Sequence, residues 1–342
     1  MAQNKRIFYA CQGVLITPMG ILPNSTIYAV RGVQSVGVTS NFTLDQAFEF
    51  GQVEIYENME EVADVEVTIE KVIDGSALVY LMAANNAKTG IAAGSNDRCD
   101  VYLAIFDDAN DYVSGVTPNS VMMASGMYVS SVSYTYPVDG VATESVTLVG
   151  NDKAWNADHP AVAANAKTAL GTLTGATAPF EYAHGGHVAE SGVVRRTKID
   201  LTNSSFPNDI PNVGDNKGHI QNISVSADLG RENILELGRF GPFHRYATFP
   251  FEVTSEFEVI AISGDLVGVS GDYENLSNNT ILIKDNAGTV LDLGTKNKLS
   301  SVSYTGGDTG GGNATVTYSY STFNKLDVTG RVSNTGLVSS QA

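Results

Sequence analysis

The chain has little of what staples, spans or grips. Two cysteines, Cys11 and Cys99, serve 342 residues. Two thiols make neither a disulfide framework nor a zinc site, so both are expected reduced and packed. No apolar run approaches the roughly 18 residues that a membrane-spanning helix needs. The opening Met1-Ala2-Gln3-Asn4-Lys5-Arg6 leads into a mixed stretch and not an apolar signal core, so no secretory leader is expected. Basic residues number 20 against 37 acidic ones, net −17. That excludes a protein that clamps nucleic acid through its phosphates, which takes clustered Lys and Arg. It leaves room for a surface past which nucleic acid slides without sticking. Tryptophan occurs once, at Trp155, which reads as a core plug at the end of a β segment rather than a sugar-stacking platform.

Catalytic sets are also lacking. His184-Gly185-Gly186-His187 offers two imidazoles but no third ligand at a fixed spacing, so a solvated glycine turn is the better reading than a metal site. Asp107-Asp108-Ala109-Asn110-Asp111 lacks the alternate spacing and closing glutamate of an EF-hand loop, and reads as strand-end solvation. The glycine-rich tip at 306–312 has no Lys-Ser or Lys-Thr pair after it and is flanked by strands, so it is not a phosphate loop. No metal, cofactor or enzymatic activity is expected.

What is present is said twice. Val33-Gln34-Ser35-Val36-Gly37-Val38 returns as Ile220-Gln221-Asn222-Ile223-Ser224-Val225, and Glu49-Phe50-Gly51-Gln52 returns as Glu236-Leu237-Gly238-Arg239, both at one offset (220 − 33 = 187; 236 − 49 = 187). Glu66-Val67-Thr68 recurs as Glu252-Val253-Thr254 (252 − 66 = 186). Ser130-Ser131-Val132-Ser133-Tyr134-Thr135 recurs without change at 300–305, and Val146-Thr147 as Val316-Thr317 (300 − 130 = 170; 316 − 146 = 170). Order is kept and the offset only shrinks, as small deletions in a second copy would make it. A period this long is the size of a domain and not of a solenoid repeat.

The expected fold is mainly β: two tandem related β-sandwich or open-barrel units with one short α-helix near 158–170. The first unit spans 33–155 and the second 218–330. A lead-in at 1–32 either folds on its own unit or adds a strand to a neighbour. An inserted or linker segment occupies 156–217, and 331–342 is a polar tail. Period-2 alternation marks the strands: Val53 and Ile55 against Glu54, then Val65-Glu66-Val67-Thr68-Ile69-Glu70 up to the turn signal Asp74-Gly75. Thr43–Phe48 can form a capped helical turn. Asp158 can cap a helix through Ala161–Leu170, with Gly171 just past its end.

Charge is unevenly shared between the copies. Glu54, Glu57, Glu60, Glu61 and Asp64 form the densest acidic run, continued by Glu66 and Glu70. The bland reading is a solvated strand face; the sharper one is a surface that repels another polyanion. The second copy places Arg239, His244 and Arg245 in the matching region. Acid of one unit can therefore meet base of the next, side by side.

The stretch Gly51–Glu57 leading to Asp64–Gly75 resembles structural proteins of tailed-phage virions. So does Val129–Gly140 with Thr143–Thr147, and so does Asp228–Glu232 through Gly238-Arg239 to Phe249–Thr254. The nearest role is the tail tube protein. The resemblance implies sandwich or open-barrel units joined edge to edge into rings, stacked into a tube with an acidic lumen that conducts DNA at ejection. On that reading Glu54, Glu57, Glu60, Glu61 and Asp64 are candidate lumen or ring-contact residues, and Arg239 and Arg245 candidate inter-subunit bases. Two units per chain imply a trimer with pseudo-sixfold symmetry, or a hexamer. The other expected partners are sheath or baseplate proteins and DNA passing without specific binding, with no membrane. The chain would be made in the host cytoplasm and end in the virion. The alternatives are a tandem β-sandwich binding module for glycans, a host surface or a capsid, and another tail component such as a hub or terminator.

Overall fold

The computed structural model describes residues 7–20, 29–84, 89–106, 118–155, 192–213, 216–217, 219–262, 264–265, 267–269, 276–307 and 312–331. The fold is mainly β. The expected helix at 158–170, the histidines at 184 and 187 and the acidic loop at 107–111 lie outside the described residues.

In the first half the strands are β1 (Gln12–Pro18), β2 (Val33–Asn41), β3 (Leu44–Phe48), β4 (Ile55–Glu60), β5 (Asp64–Val72), β6 (Cys99–Ile105), β7 (Ser120–Pro137), β8 (Thr143–Gly150) and β9 (Asp152–Trp155). One short helix, α1 (Val79–Ala83), follows β5. After two two-residue strands, β10 (Asn212–Val213) and β11 (Asn216–Lys217), the second half holds β12 (Ile220–Asp228), β13 (Arg231–Ile234), β14 (His244–Ala247), β15 (Glu252–Ile260), β16 (Asn279–Lys284), β17 (Val290–Thr305), β18 (Thr315–Phe323) and β19 (Asp327–Thr329).

One sheet runs through both halves. Its central strands read β2-β5-β8-β7 and then, without a break, β12-β15-β18-β17, all antiparallel. The long strands turn out of it. The first part of β7 pairs with β6 and β9, and the first part of β17 with β16 and β19, so each long strand is shared between two sets of partners. Gly126 and Gly294, both left-handed (φ 66° and 73°), sit where the two strands bend.

Period-2 burial explains the layers. In β5, Val65, Val67 and Ile69 are buried while Asp64 and Glu66 are exposed. In β15, Val253, Phe257 and Val259 are buried while Glu252 and Glu256 are exposed. The apolar faces and α1 form the core. At roughly 25 cal/mol per Å² of apolar surface, burial of this scale is the dominant favourable term.

The two halves agree in geometry as well as in residues. The hairpin β3–β4 pairs Leu44 with Glu60 and Ala47 with Glu57; β13–β14 pairs Arg231 with Ala247 and Ile234 with His244, each position shifted by 187 (231 − 44; 247 − 60; 234 − 47; 244 − 57). The turns agree too. Gly51 and Gly238 both have positive φ (93° and 81°), the conformation that favours glycine. Gln52 N–H donates to Glu49 O at 3.1 Å, and Arg239 N–H donates to Glu236 O at 3.3 Å. The β2–β5 ladder is bulged between Val33 and Ser35, and β12–β15 between Ile220 and Asn222. The β7–β8 ladder is bulged between Val129 and Ser131, and β17–β18 between Leu299 and Ser301. All four bulges fall at the sequence offsets of 187 and 170.

Several expectations are corrected. Thr43–Phe48 is not a helical turn: Leu44–Phe48 is β3, because its backbone finds a partner in β4. Val53 and Ile55 are not buried; the whole of β4 is exposed. Trp155 ends β9 opposite Met122 and is 39 % exposed, so it plugs no core. The lead-in folds on its own unit, β1 pairing with β6 along Gln12–Pro18. The segment after 192 treats the second half alike: Ile199 bridges Asp285, and Ser205 bridges Leu282 beside β16. Cys11 and Cys99 are buried free thiols.

Candidate functional site

The polar face of the long sheet is built of hydroxyls and carboxylates. From β2 it presents Thr39; from β5, Glu66, Thr68 and Glu70; from β8, Ser145 and Thr147; and from β7, Ser131, Ser133 and Thr135. The second half continues it with Ser224, Ser226 and Asp228 on β12, and Glu252, Thr254, Glu256 and Glu258 on β15. Thr317, Ser319 and Ser321 follow on β18, and Ser301 and Ser303 on β17.

The carboxylates here are held by hydroxyls. Ser35 Oγ donates to Glu70 at 3.2 Å, Ser319 Oγ to Glu256 at 3.3 Å, and Ser321 Oγ to Glu252. Thr68 meets Thr147, and Ser226 meets Thr254 at 2.8 Å. Among the described residues, these strands add one base to the face, Lys298, at the end of β17's share of the sheet. Such a surface, with one base among many carboxylates, repels a polyanion.

Two hairpins stand beside this face. β3–β4 carries Glu54, Glu57 and Glu60 on or beside its exposed strands, with Glu61 just beyond. Its apolar side chains Phe48, Phe50, Val53 and Tyr56 are also exposed. β13–β14 exposes Leu235, Leu237, Phe240 and Phe243 at the same four positions, 187 residues on. The two hairpins thus expose apolar side chains at matched positions.

The second hairpin folds back on the first unit. Arg245 is buried, and its guanidinium meets the Asp64 carboxylate, Asn151 Oδ1 at 3.1 Å and Gly150 O at 3.4 Å. Arg231 donates to Val129 O and to Ser95 O at 2.7 Å, and lies 5.2 Å from the Tyr128 ring centroid. Tyr128 Oη and His244 Nδ1 share a hydrogen bond of 2.9 Å. Burial, then the charges of Arg98 and Arg231, hold the His244 imidazole below its ordinary value; burial lowers Arg231 to about 10. Asp64, a candidate lumen or ring-contact residue, and Arg245, a candidate inter-subunit base, meet each other within one chain. Arg239 stays in the turn, 5.7 Å from the Phe243 ring centroid.

The alternation also hid a buried polar cluster. Lys71, Asp74, Ser76 and Glu144 lie inside the first unit. Lys71 Nζ donates to Ser76 Oγ at 2.7 Å and Ala77 O at 2.8 Å, and lies 3.7 Å from Asp74. Glu144 accepts from the N–H of Val79 at 2.7 Å, the N–H of Tyr80 at 3.1 Å and Tyr134 Oη at 3.0 Å, so it tethers the start of α1. Burial pushes the Lys71 ammonium down and the Glu144 carboxyl up. The signal was available: Lys71 shares the parity of Val65, Val67 and Ile69, and Glu144 that of Val146 and Leu148. Among the described residues no group of three His, Cys, Asp or Glu side chains could hold a metal ion.

No family model and no curated protein matches this chain. Among solved structures it is similar to a chain of the cryo-EM structure of the anti-feeding prophage (AFP) baseplate, 6-fold symmetrised, at 12% identity and a TM-score of 0.33, over 45% of this chain and 97% of that one. A likeness of that degree carries no argument about function.

Proposed function

We propose that this chain is a structural protein of a phage tail, a tube subunit whose copies join edge to edge into rings around an acidic conduit for DNA. One observation carries the reading. The hexapeptide Ser-Ser-Val-Ser-Tyr-Thr stands in both halves with different surroundings. At 130–135 it pairs with β12 inside the chain, and Tyr134 is 0% exposed. At 300–305 the same residues edge the sheet, and Tyr304 is 55% exposed. At the other end β2, the counterpart of β12, is the opposite edge.

A joint between unlike surfaces whose two halves remain open at the ends is a head-to-tail joint. Repeated, it closes into a ring or continues as a helix. Open strand edges are liabilities that closure removes. The polar face supports the conduit: it continues across the in-chain joint, and its carboxylates are held by hydroxyls. Three chains would supply six units, a trimer with pseudo-sixfold symmetry. The apolar hairpin tips are suited to contacts between copies in successive rings. No catalysis is proposed, and the site of action is the virion.

Negative-stain microscopy of the purified protein over rising concentration tests this. Rings or tubes about 100 Å wide are expected, from two sandwich layers around a pore at sheet spacings of about 10 Å plus loops. A monodisperse monomer at high concentration would overturn it.

A further inference from the structure

The joint inside the chain is a template for the joint between chains. Within the chain β12 and β7 pair Val225 with Tyr134, Ser226 with Ser133, and Asp228 with Ser131. Subtracting 187 from the β12 positions gives Val38, Thr39 and Asn41 on β2. Adding 170 to the β7 positions gives Tyr304, Ser303 and Ser301 on β17. Among the described residues β2 and the 301–305 segment of β17 edge the sheet, and their residues are more exposed than their counterparts: Val38 is half-buried where Val225 is fully buried.

The hairpin contacts transform as well. His244 meets Tyr128 within the chain. Their counterparts are Glu57 (244 − 187) and Lys298 (128 + 170). An aromatic hydrogen bond is thus replaced by two exposed groups of opposite charge. The Arg245–Asp64 ion pair has no equivalent, because Asn58 (245 − 187) stands in place of the arginine; the strand pairings make Glu252 (64 + 188) the counterpart of Asp64. Each joint therefore has its own ion pair, in a different position. Lys298 is also the base that the sheet strands add to the polar face among the described residues, and its ammonium donates to Leu276 O at 3.4 Å.

We propose that two copies of this chain join through β2 of one and residues 301–305 of the other, antiparallel, with Val38 opposite Tyr304 and Thr39 opposite Ser303, and that Glu57 of the first copy pairs with Lys298 of the second. This rests on the ring reading above and adds to it the register and the contact that selects it. The apolar side of the new ladder buries Val36, Val38, Val302 and Tyr304, as the in-chain joint buries Ile223, Val225, Val132 and Tyr134. The polar side carries the hydroxyl and carboxylate face across from chain to chain.

Cysteine cross-linking in the full chain tests the register. Directly opposed antiparallel residues have Cα atoms about 4.5–5.5 Å apart, inside the range a disulfide spans. T39C/S303C should oxidise into covalent multimers on a non-reducing gel, whereas T39C/T305C, displaced by two residues, should not. The two sites of one chain lie at opposite edges of one sheet, so any bridge joins two chains. Circular dichroism checks that the variants are folded; Cys11 and Cys99 are buried, and the wild type supplies their background.

Charge exchange tests the contact. E57K and K298E should each raise the concentration needed for assembly about tenfold, and E57K/K298E should bring it back to within about threefold of the wild type. Rings that form without the 39–303 bridge, or that bridge at 39–305, would overturn the register while the ring reading stands. Failure of the double variant to recover would overturn the Glu57–Lys298 contact. Failure of the wild type to assemble at any concentration would overturn the ring reading itself.

Discussion

The Arg245 guanidinium, projecting from a hairpin of the second half, grips the Asp64 carboxylate of the first half across the seam between them. Arg245 is buried and also holds Asn151 and Gly150 O, whereas the Asp64 side chain is 54% exposed. The two partners are therefore unequal. Arg245→Ala should destabilise the chain by about 2–3 kcal/mol, since it takes a buried, charged donor from Gly150 O and the part-buried Asn151 Oδ1. Asp64→Ala should cost only about 1 kcal/mol, as partly solvated ion pairs do. Urea unfolding of the two variants, at unchanged slope, measures the difference.

The seam should also respond to pH. Above its ordinary value of 6.5, His244 is neutral in both the folded and unfolded chain and contributes no pH dependence. Its folded value is lowered, so as pH falls below 6.5 the unfolded chain takes up the proton first and stability declines. The decline stops once pH is below the lowered value as well. Melting temperatures across about pH 5–8 should show this step, and His244→Gln should flatten it while the rest of the profile persists.

Lys71 and Glu144 face each other on neighbouring strands inside the first unit. Glu144→Ala frees two N–H groups of α1 and the Tyr134 hydroxyl, and leaves Lys71 with Asp74. A loss of about 3–5 kcal/mol is expected, as for breaking a buried charge pair. Lys71→Met alone should cost a similar amount, and Lys71→Met with Glu144→Gln should cost clearly less than the sum of the two single changes. Equilibrium unfolding of the full double-mutant cycle reads this coupling.

Much of this architecture was legible beforehand. The mainly β fold was legible, and the shared bulges at Ser130 and Ser300 fall inside an unchanged hexapeptide; β5 and β15, by contrast, correspond at an offset of 188 (254 − 66) and not at the 186 read from Glu66-Val67-Thr68. Alternation located β5 because one face of it is buried against a core. The same signal misled at Val53 and Ile55. Alternation says that two faces differ, not that either is covered. Val79–Ala83 was missed for a related reason: a five-residue run that is apolar all round has no period from which to tell helix from strand. Glu57 stood out as part of an acidic run, but the pairing proposed for it with Lys298 rests on strand edges that only the fold shows.

The polar face makes a prediction of its own. The wild type should not retain DNA at about 150 mM salt, because a phosphate meets carboxylates there. E70K/E256K reverses two of them on strands from the two halves. It should bind DNA with a steep salt dependence, losing most of its affinity as salt rises a few-fold. A filter-binding titration at two ionic strengths checks it. Equal retention of DNA by the wild type would count against the conduit.

The uninterrupted passage from β7 to β12 has a further effect on assembly. Half of the seams in a closed ring of such chains are made when the polypeptide folds, at a local concentration no dilution can alter. The remaining seams alone depend on encounter. Because the two kinds carry different side chains, a ring that looks sixfold in outline would show its neighbours a threefold pattern of charge, and whatever docks along its axis could tell one third of a turn from one sixth.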